Sequence, residues 1–118
     1  MIGRWHALVI DCPEPAELAG FYQEVLGMVR VQDEADWVVI GDAPDRPGIA
    51  FQRAPEQQAP RWPDPHSSQQ MHVDVRVDDL DEGERAVLAL GARRLPSDSS
   101  SFRVFADPSG HPFCLVRW

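Results

Sequence analysis

One order of elements is predicted twice in this 118-residue chain: a strand, a helix and three short strands. The first copy opens with "WHALVID" and "PEPAELAGFYQEVLG", and the second opens with "MHVDVRV" and "DLDEGERAVLALG". Both helices end in Leu-Gly, and a histidine precedes that glycine by 21 positions in one copy (His6 to Gly27) and by 19 in the other (His72 to Gly91). A period of about 66 residues is too long for a solenoid repeat and indicates two copies of one supersecondary unit. The chain is therefore predicted to adopt an α+β fold of two βαβββ modules.

Local signals bound these elements. Pro15 suits a first helical turn and Gly27 ends that helix, while Asp79 is a plausible N-cap and Gly91 a stop for the second. The remaining strands are predicted at 28–32, 37–41 and 49–53, then at 92–95, 102–106 and 112–118.

We treat 1–118 as a single domain made of module 1 (1–55), a connection rich in Pro, Gln and Ser (56–69) and module 2 (70–118). A ferredoxin-like βαββαβ sandwich is the alternative architecture, but it leaves one strand of each half unplaced.

Charge and hydropathy exclude several classes of partner. The net charge is −8, and no stripe of basic residues could neutralise phosphates, so nucleic acid is not expected as a partner. No apolar run approaches the roughly 20 residues of a membrane span, and the start of the chain lacks a signal-like segment. We expect a cytoplasmic protein in which Cys12 and Cys114 are free thiols.

Alternation along "MHVDVRV" separates two faces of one strand. The valines point to one side, which we expect to pack on a helix, whereas His72, Asp74 and Arg76 point to the other. The same rule groups His6 with Leu8 and Ile10, Gln52 with Ala50, and Cys114 with Val116. For the charged residues the alternative is an exposed Asp74/Arg76 ion pair of little energetic consequence.

Four stretches in this order resemble a known family: "DCPEPAELAGFYQEVLGM", "IAFQRAPE", "MHVDVRVDDLDEGERAVLALGARRL" and "FADPSGHPFCLVRW". The sequence is similar to the vicinal oxygen chelate superfamily of glyoxalases, extradiol dioxygenases and bleomycin resistance proteins, and most of all to its short glyoxalase-like members. The resemblance implies that the modules form a cupped mixed sheet around a small-molecule site. It also implies a homodimer.

Metal-dependent members of that superfamily take His and Glu ligands from the first and last strand of each module. The resemblance puts the four positions at His6, Gln52, His72 and Cys114. No carboxylate is among them, so we expect no metal or other cofactor; a divalent metal, if one binds, would use these four residues. The alternative for Cys114 is a small buried apolar residue without a chemical role.

The predicted function is binding of a small amphipathic or aromatic organic molecule in the cup, without a metal. Its predicted binding residues are His6, Leu8, Gln52, His72, Asp74, Arg76, Cys114 and Val116. The alternative is an enzyme of the glyoxalase or extradiol dioxygenase type, a lyase, isomerase or dioxygenase that either depends on a metal or uses His72 and Asp74 as an acid/base pair. Trp37 and Trp62 are candidates for a flat apolar wall.

Overall fold

The structure is a computed structural model that describes all 118 residues. The chain divides into two compact units, 1–57 and 58–118, and each contains one helix and one four-stranded mixed sheet. The α+β class and the two βαβββ modules are confirmed. Neither helix is long and apolar enough to cross a membrane.

Module 1 consists of β1 (Leu8–Cys12), α1 (Pro15–Leu26), β2 (Val29–Glu34), β3 (Trp37–Ala43) and β4 (Arg46–Arg53). Its sheet has the order β1-β4-β3-β2, in which β1 runs parallel to β4 and the other pairs are antiparallel. The ring of Tyr22 on α1 stacks on Phe51 of β4 at 5.8 Å, so α1 packs on the side of the sheet to which Phe51 points.

Module 2 repeats this topology with β5 (Val73–Arg76), α2 (Leu80–Ala89), β6 (Arg93–Arg94), β7 (Phe102–Ala106) and β8 (Pro112–Val116). Its sheet has the order β5-β8-β7-β6, and β5 runs parallel to β8. The rings of Phe105 and Phe113 stack at 5.6 Å inside its core.

The helix ends agree with their local signals. Gly27 has the left-handed φ of 68°, and its N–H donates to the Gln23 carbonyl at 2.8 Å. The carboxylate of Asp79 accepts a 3.0 Å hydrogen bond from the Glu82 N–H, which also lowers the pKa of Asp79. Helix α2 ends at Ala89, and Gly91 follows with a φ of 106°.

Four strands are shorter than predicted, and one of them is β8, which ends at Val116. Strand β1 begins at Leu8, and β5 begins at Val73, whose partner on β8 is Phe113. The residue before that partner is Pro112, which lacks an N–H to extend the ladder. Strand β6 has two residues because Pro96 follows soon after.

Most of the predicted connection belongs to the second unit. Residues 58–69 contain a 3₁₀ turn at Pro65–Ser67, where the Asp64 carboxylate accepts from the His66 N–H at 2.9 Å. The Trp62–Pro63 peptide bond in this segment is cis.

Candidate functional site on the module 2 sheet

The two faces of the module 2 sheet are distinguished by the position of Leu115. A Cβ atom added to Gly83 of α2 would lie 3.1 Å from Leu115 Cδ1, so Leu115 points towards the helix. Neighbouring residues on a strand point to opposite sides. Cys114 and Val116 therefore point away from α2, and so does Asp74, which pairs with Cys114 across β5 and β8. We call this side of the sheet the helix-free face.

Strand β5 follows the alternation expected from its sequence. Val75 is in register with Leu115 and lies on the helix side. Arg76 is in register with Val116 and lies on the helix-free face with Asp74. His72 comes directly before β5, and its imidazole also reaches Asp74. The structure thus brings His72 to Asp74 and places Arg76 on the same side of β5.

The centre of the helix-free face is apolar. A buried cluster forms there, and partly buried apolar side chains pack against it: Val104, Cys114 and Val116 are buried, with Trp62, Leu95 and Phe102 around them. Trp62 is fixed by a 2.8 Å hydrogen bond from its indole N–H to the Pro96 carbonyl. The sequence-based site omitted Leu95 and Phe102, although alternation along β7 would have grouped Phe102 with Val104.

A polar cluster borders this apolar centre. His72 Nε2 lies 3.1 Å from Asp74 Oδ1, and these side chains are 37% and 43% exposed. One donor atom from each of His72, Asp74 and Cys114 lies within 4.8 Å of the other two. Imidazole, carboxylate and thiol therefore meet on one face of one module.

The thiol of Cys114 is held in its protonated form. Burial raises its pKa to about 11, and both the charge of Asp74 and a hydrogen bond between the two side chains act in the same direction. Because the thiolate is the nucleophilic form of cysteine, the metal-free site does not present an activated thiol.

The guanidinium of Arg76 forms no ion pair or side-chain hydrogen bond with the protein. The expected alternative, an Asp74/Arg76 pair, is not formed, because Asp74 contacts His72 instead. An exposed cation on the helix-free face is thus available to an anionic group.

Module 1 carries a different polar pair at the corresponding strands. Gln52 of β4 is in register with Asp11 of β1, and its amide donates to the Asp11 carboxylate at 3.4 Å. Trp37 of β3 is in register with Gln52 on the other side. Asp11 and Gln52 thus form a paired position across β1 and β4, as Asp74 and Cys114 do across β5 and β8.

The expected placement of Leu8 and Ile10 beside the ligand is not supported by the strand register. They pair with Ile49 and Phe51, and the Phe51 ring stacks on α1, so they point to the helix side of their sheet. The run "LVI" is apolar on both sides of the strand, so alternation alone could not identify its buried side.

His6 and His72 both precede the first strand of their module. His72 lies two residues before Asp74 and directly before β5, which begins at Val73. His6 is exposed and precedes β1. The equivalence of His6 and His72 stays a prediction, because His6 lies outside the paired strand of module 1.

These residues do not fit the His and Glu ligand set that the family resemblance implies for a divalent ion. Cys114 offers a thiol in place of a carboxylate, and the Gln52 amide donates to Asp11. Of the four positions assigned by resemblance, only His72 and Cys114 belong to the cluster, and its third member is Asp74.

A family model described as a glyoxalase-like domain matches residues 7–116. No curated protein matches the chain. Among solved structures, a glyoxalase/bleomycin resistance protein/dioxygenase family enzyme from Burkholderia phytofirmans PsJN is 16% identical, with a TM-score of 0.69 over 94% of this chain and 95% of that chain.

Two fosfomycin resistance proteins named FosX are also similar in structure. The protein from Mesorhizobium loti is 15% identical, with a TM-score of 0.70 over 100% of this chain and 93% of that chain. A variant from Listeria monocytogenes, in complex with Mn(II) and 1S,2S-dihydroxypropylphosphonic acid, is 16% identical, with a TM-score of 0.71 over 99% of this chain and 93% of that chain. At these identities the similarity shows the fold.

Proposed function

The chain belongs to the glyoxalase-like domain family, and we propose that it binds a small aromatic or amphipathic molecule that carries an anionic group. The binding surface is the helix-free face of module 2. The observation that supports this proposal is the arrangement of the face, where an apolar centre adjoins a guanidinium without a protein partner.

The apolar part of the ligand packs on the cluster around Val104 and Val116. Ligand sites in proteins combine mostly apolar walls with a few polar groups that fix orientation. Trp62 and Phe102 offer aromatic surface beside the cluster, and the bond from the Trp62 indole to Pro96 holds one of these rings in place. A flat, ring-bearing molecule suits such a surface.

The anionic part of the ligand binds Arg76. A guanidinium can donate two parallel hydrogen bonds to a carboxylate or phosphonate, and such bonds are stronger than those between neutral groups. The nearby pair of His72 and Asp74 offers further polar contacts at the same border of the face. This mode of recognition requires no metal.

A thermal-shift screen of small aromatic acids and ring-bearing antibiotics tests the proposal with wild type, Arg76→Ala and Arg85→Ala. Arg85 is an exposed arginine of α2 and controls for the loss of one positive charge. We expect Arg76→Ala to weaken binding of acidic hits by about 1.5–3 kcal/mol, or roughly one to two orders of magnitude in Kd. Arg85→Ala should keep the wild-type affinity.

The melting temperature of the free protein separates recognition from a structural role. Arg76 has no protein partner to lose, so Arg76→Ala should leave the melting temperature nearly unchanged. Unchanged affinity for every hit, together with a loss of several degrees in melting temperature, would show that Arg76 is structural and the proposal is wrong.

An enzyme of the glyoxalase or dioxygenase type is the second candidate, and the 3.1 Å contact between His72 and Asp74 favours it. A carboxylate at that distance orients the imidazole, as positioning of a general acid/base requires. Under this hypothesis a screened ligand is converted by wild type, and His72→Gln loses turnover while still binding the ligand. Product analysis by mass spectrometry separates the two functions.

For partners and location, we propose a cytoplasmic homodimer that binds neither nucleic acid nor membrane. Both cysteines are buried free thiols, a state that suits a reducing compartment. The net charge of −8 opposes association with phosphate-rich surfaces.

A further inference from the structure

The apolar centre of the helix-free face is closed by the protein's own side chains. Val104 and Val116 are only 1% and 3% exposed. The partly buried side chains packed against their cluster all come from module 2: Trp62, Leu95 and Phe102. A ligand that packs on the two valines therefore requires at least one of these three side chains to move.

Trp62 is the one of the three that the sheet does not hold. The Leu95 N–H donates to the Val104 carbonyl at 2.9 Å, and Phe102 belongs to β7. Trp62 lies outside all strands, in an irregular segment that we call the Trp62 loop (60–67). Its side chain can therefore move without breaking any strand pairing.

The Trp62 loop is bonded mainly to itself. The Arg61 N–H donates to the Ser67 hydroxyl at 3.0 Å and closes the loop. The 2.8 Å bond from the Trp62 indole N–H to the Pro96 carbonyl is its one hydrogen bond to the rest of the module. A cavity of about 140 Å³ that is lined only by residues from 60–69 adjoins Trp62, so its ring has room to shift.

An anionic ligand held by Arg76 brings its ring to the surface that the indole covers. Arg76 is in register with Val116, and neighbouring strands lie about 5 Å apart. A ring attached to the anionic group therefore meets the apolar cluster to which Val116 belongs. Trp62 packs against the same cluster, so the ring of the ligand and the indole compete for one apolar surface.

We propose that Trp62 is a gate of this face, whose indole leaves the Pro96 carbonyl and shifts aside when the ring of an aromatic acid enters. This inference rests on the proposed function and adds what sets the affinity of the site. The indole has apolar contacts in both arrangements, because after the shift it packs on the ligand. Its hydrogen bond to Pro96 exists only in the closed arrangement, so this bond lowers the apparent affinity for the ligand.

Calorimetric titration with 2-naphthoate, a flat aromatic carboxylate, tests the gate in wild type, Trp62→Phe and Trp5→Phe. Trp62→Phe keeps an aromatic ring but lacks the N–H that bonds to Pro96. It should bind 2-naphthoate about 2- to 10-fold more tightly than wild type, the range expected for one net hydrogen bond. Trp5→Phe makes the same change at an exposed tryptophan and should bind as wild type does. Equal or weaker binding by Trp62→Phe would show a fixed wall and overturn the gate.

The indole N–H signal of Trp62 in proton–nitrogen NMR spectra tests the same movement in wild type. Its absence from the spectrum of Trp62→Phe assigns it among the four tryptophans. The bond to Pro96 should protect this N–H from exchange with solvent, and saturation with 2-naphthoate should remove the protection.

The outcomes separate the gate from the proposed function. If 2-naphthoate binds in an Arg76-dependent manner while the Trp62 N–H stays protected, the gate is wrong and the proposed function stands. If neither wild type nor Trp62→Phe binds 2-naphthoate, the proposed function is wrong and the gate with it.

Discussion

At the scale of single residues, the chemistry of the site depends on the position of Asp74 between an imidazole and a thiol. Asp74 Oδ1 lies 3.1 Å from His72 Nε2. The charge of the same carboxylate and its hydrogen bond with the thiol add to burial in raising the pKa of Cys114.

We expect the thiol of Cys114 to alkylate slowly at neutral pH. With a pKa of about 11, only about 0.1% of it is ionised at pH 8, against about 10% for a thiol at the ordinary value of 9.0. In a Cys12→Ala background with chelator present, the rate of reaction with iodoacetamide should rise up to about pH 11. Asp74→Asn should move this midpoint to lower pH, because it removes the charge and weakens the hydrogen bond.

The pH dependence of the free energy of unfolding gives a second, independent measure of the raised pKa of Cys114. The unfolded chain releases the Cys114 proton from about pH 9, and the folded protein retains it up to about pH 11. The stabilisation is therefore intact below pH 9 and is lost as the pH rises through 11. Cys114→Ala should therefore show a smaller fall in the free energy of unfolding between pH 9 and pH 11. A pH profile of alkylation centred near 9, with no effect of Asp74→Asn, would contradict the assignment.

The sequence predicted part of the site because alternation within a strand is a local property. It separated His72, Asp74 and Arg76 from the valines of "MHVDVRV" correctly. It could not predict that Asp74 faces Cys114, because the register between parallel strands is set by packing across 40 residues of chain. The position of Trp62 was beyond sequence reasoning as well, since it depends on the path of an irregular segment.

At the scale of elements, the two helices differ in how closely their glycines approach the sheets. A Cβ on Gly83 of α2 would lie 3.1 Å from Leu115 and 3.2 Å from Val77, so the helix packs tightly at this point. A Cβ on Gly20 of α1 would have Arg30 as its nearest neighbour, at 3.9 Å. The local signals that predicted both helices do not report this difference, because it arises from tertiary packing.

Replacing each glycine by alanine should therefore have different effects on stability. Alanine improves helix propensity by up to about 1 kcal/mol. Gly20→Ala should be stabilised by most of this amount. In Gly83→Ala, overpacking against Leu115 and Val77 should cost at least as much stability as the higher helix propensity contributes. We expect the free energy of unfolding to be at least about 1 kcal/mol lower for Gly83→Ala than for Gly20→Ala in urea titrations. Equal stabilisation of both variants would show that α2 packs more loosely than the structure indicates.

At the scale of the whole molecule, the two modules share one topology but differ in side chains at matching strand positions. Asp11 and Gln52 bond to each other in module 1, whereas Asp74 and Cys114 adjoin an imidazole in module 2. Because backbone pairing does not require particular side chains at these positions, the repeated fold permits chemically different sites. This explains why the repeat predicted the architecture well but could not predict the chemistry of each module.

We expect the protein to be a homodimer whose stability increases with salt. The prediction follows from the family and from the short chain, which exposes large apolar side chains such as Trp5 (78% exposed), Met71 (71%) and Trp118 (62%). Each copy carries a net charge of −8, so two copies repel each other, and salt screens this repulsion. Light scattering coupled to size-exclusion chromatography should give twice the chain mass of 13.2 kDa at micromolar concentration. The dissociation constant of the dimer should fall as NaCl rises from about 20 to about 300 mM. A mass of one chain at both salt concentrations would rule out the dimer. A dimer that dissociates as salt increases would contradict the predicted salt dependence, because attractive ion pairs across the interface would then outweigh the net repulsion.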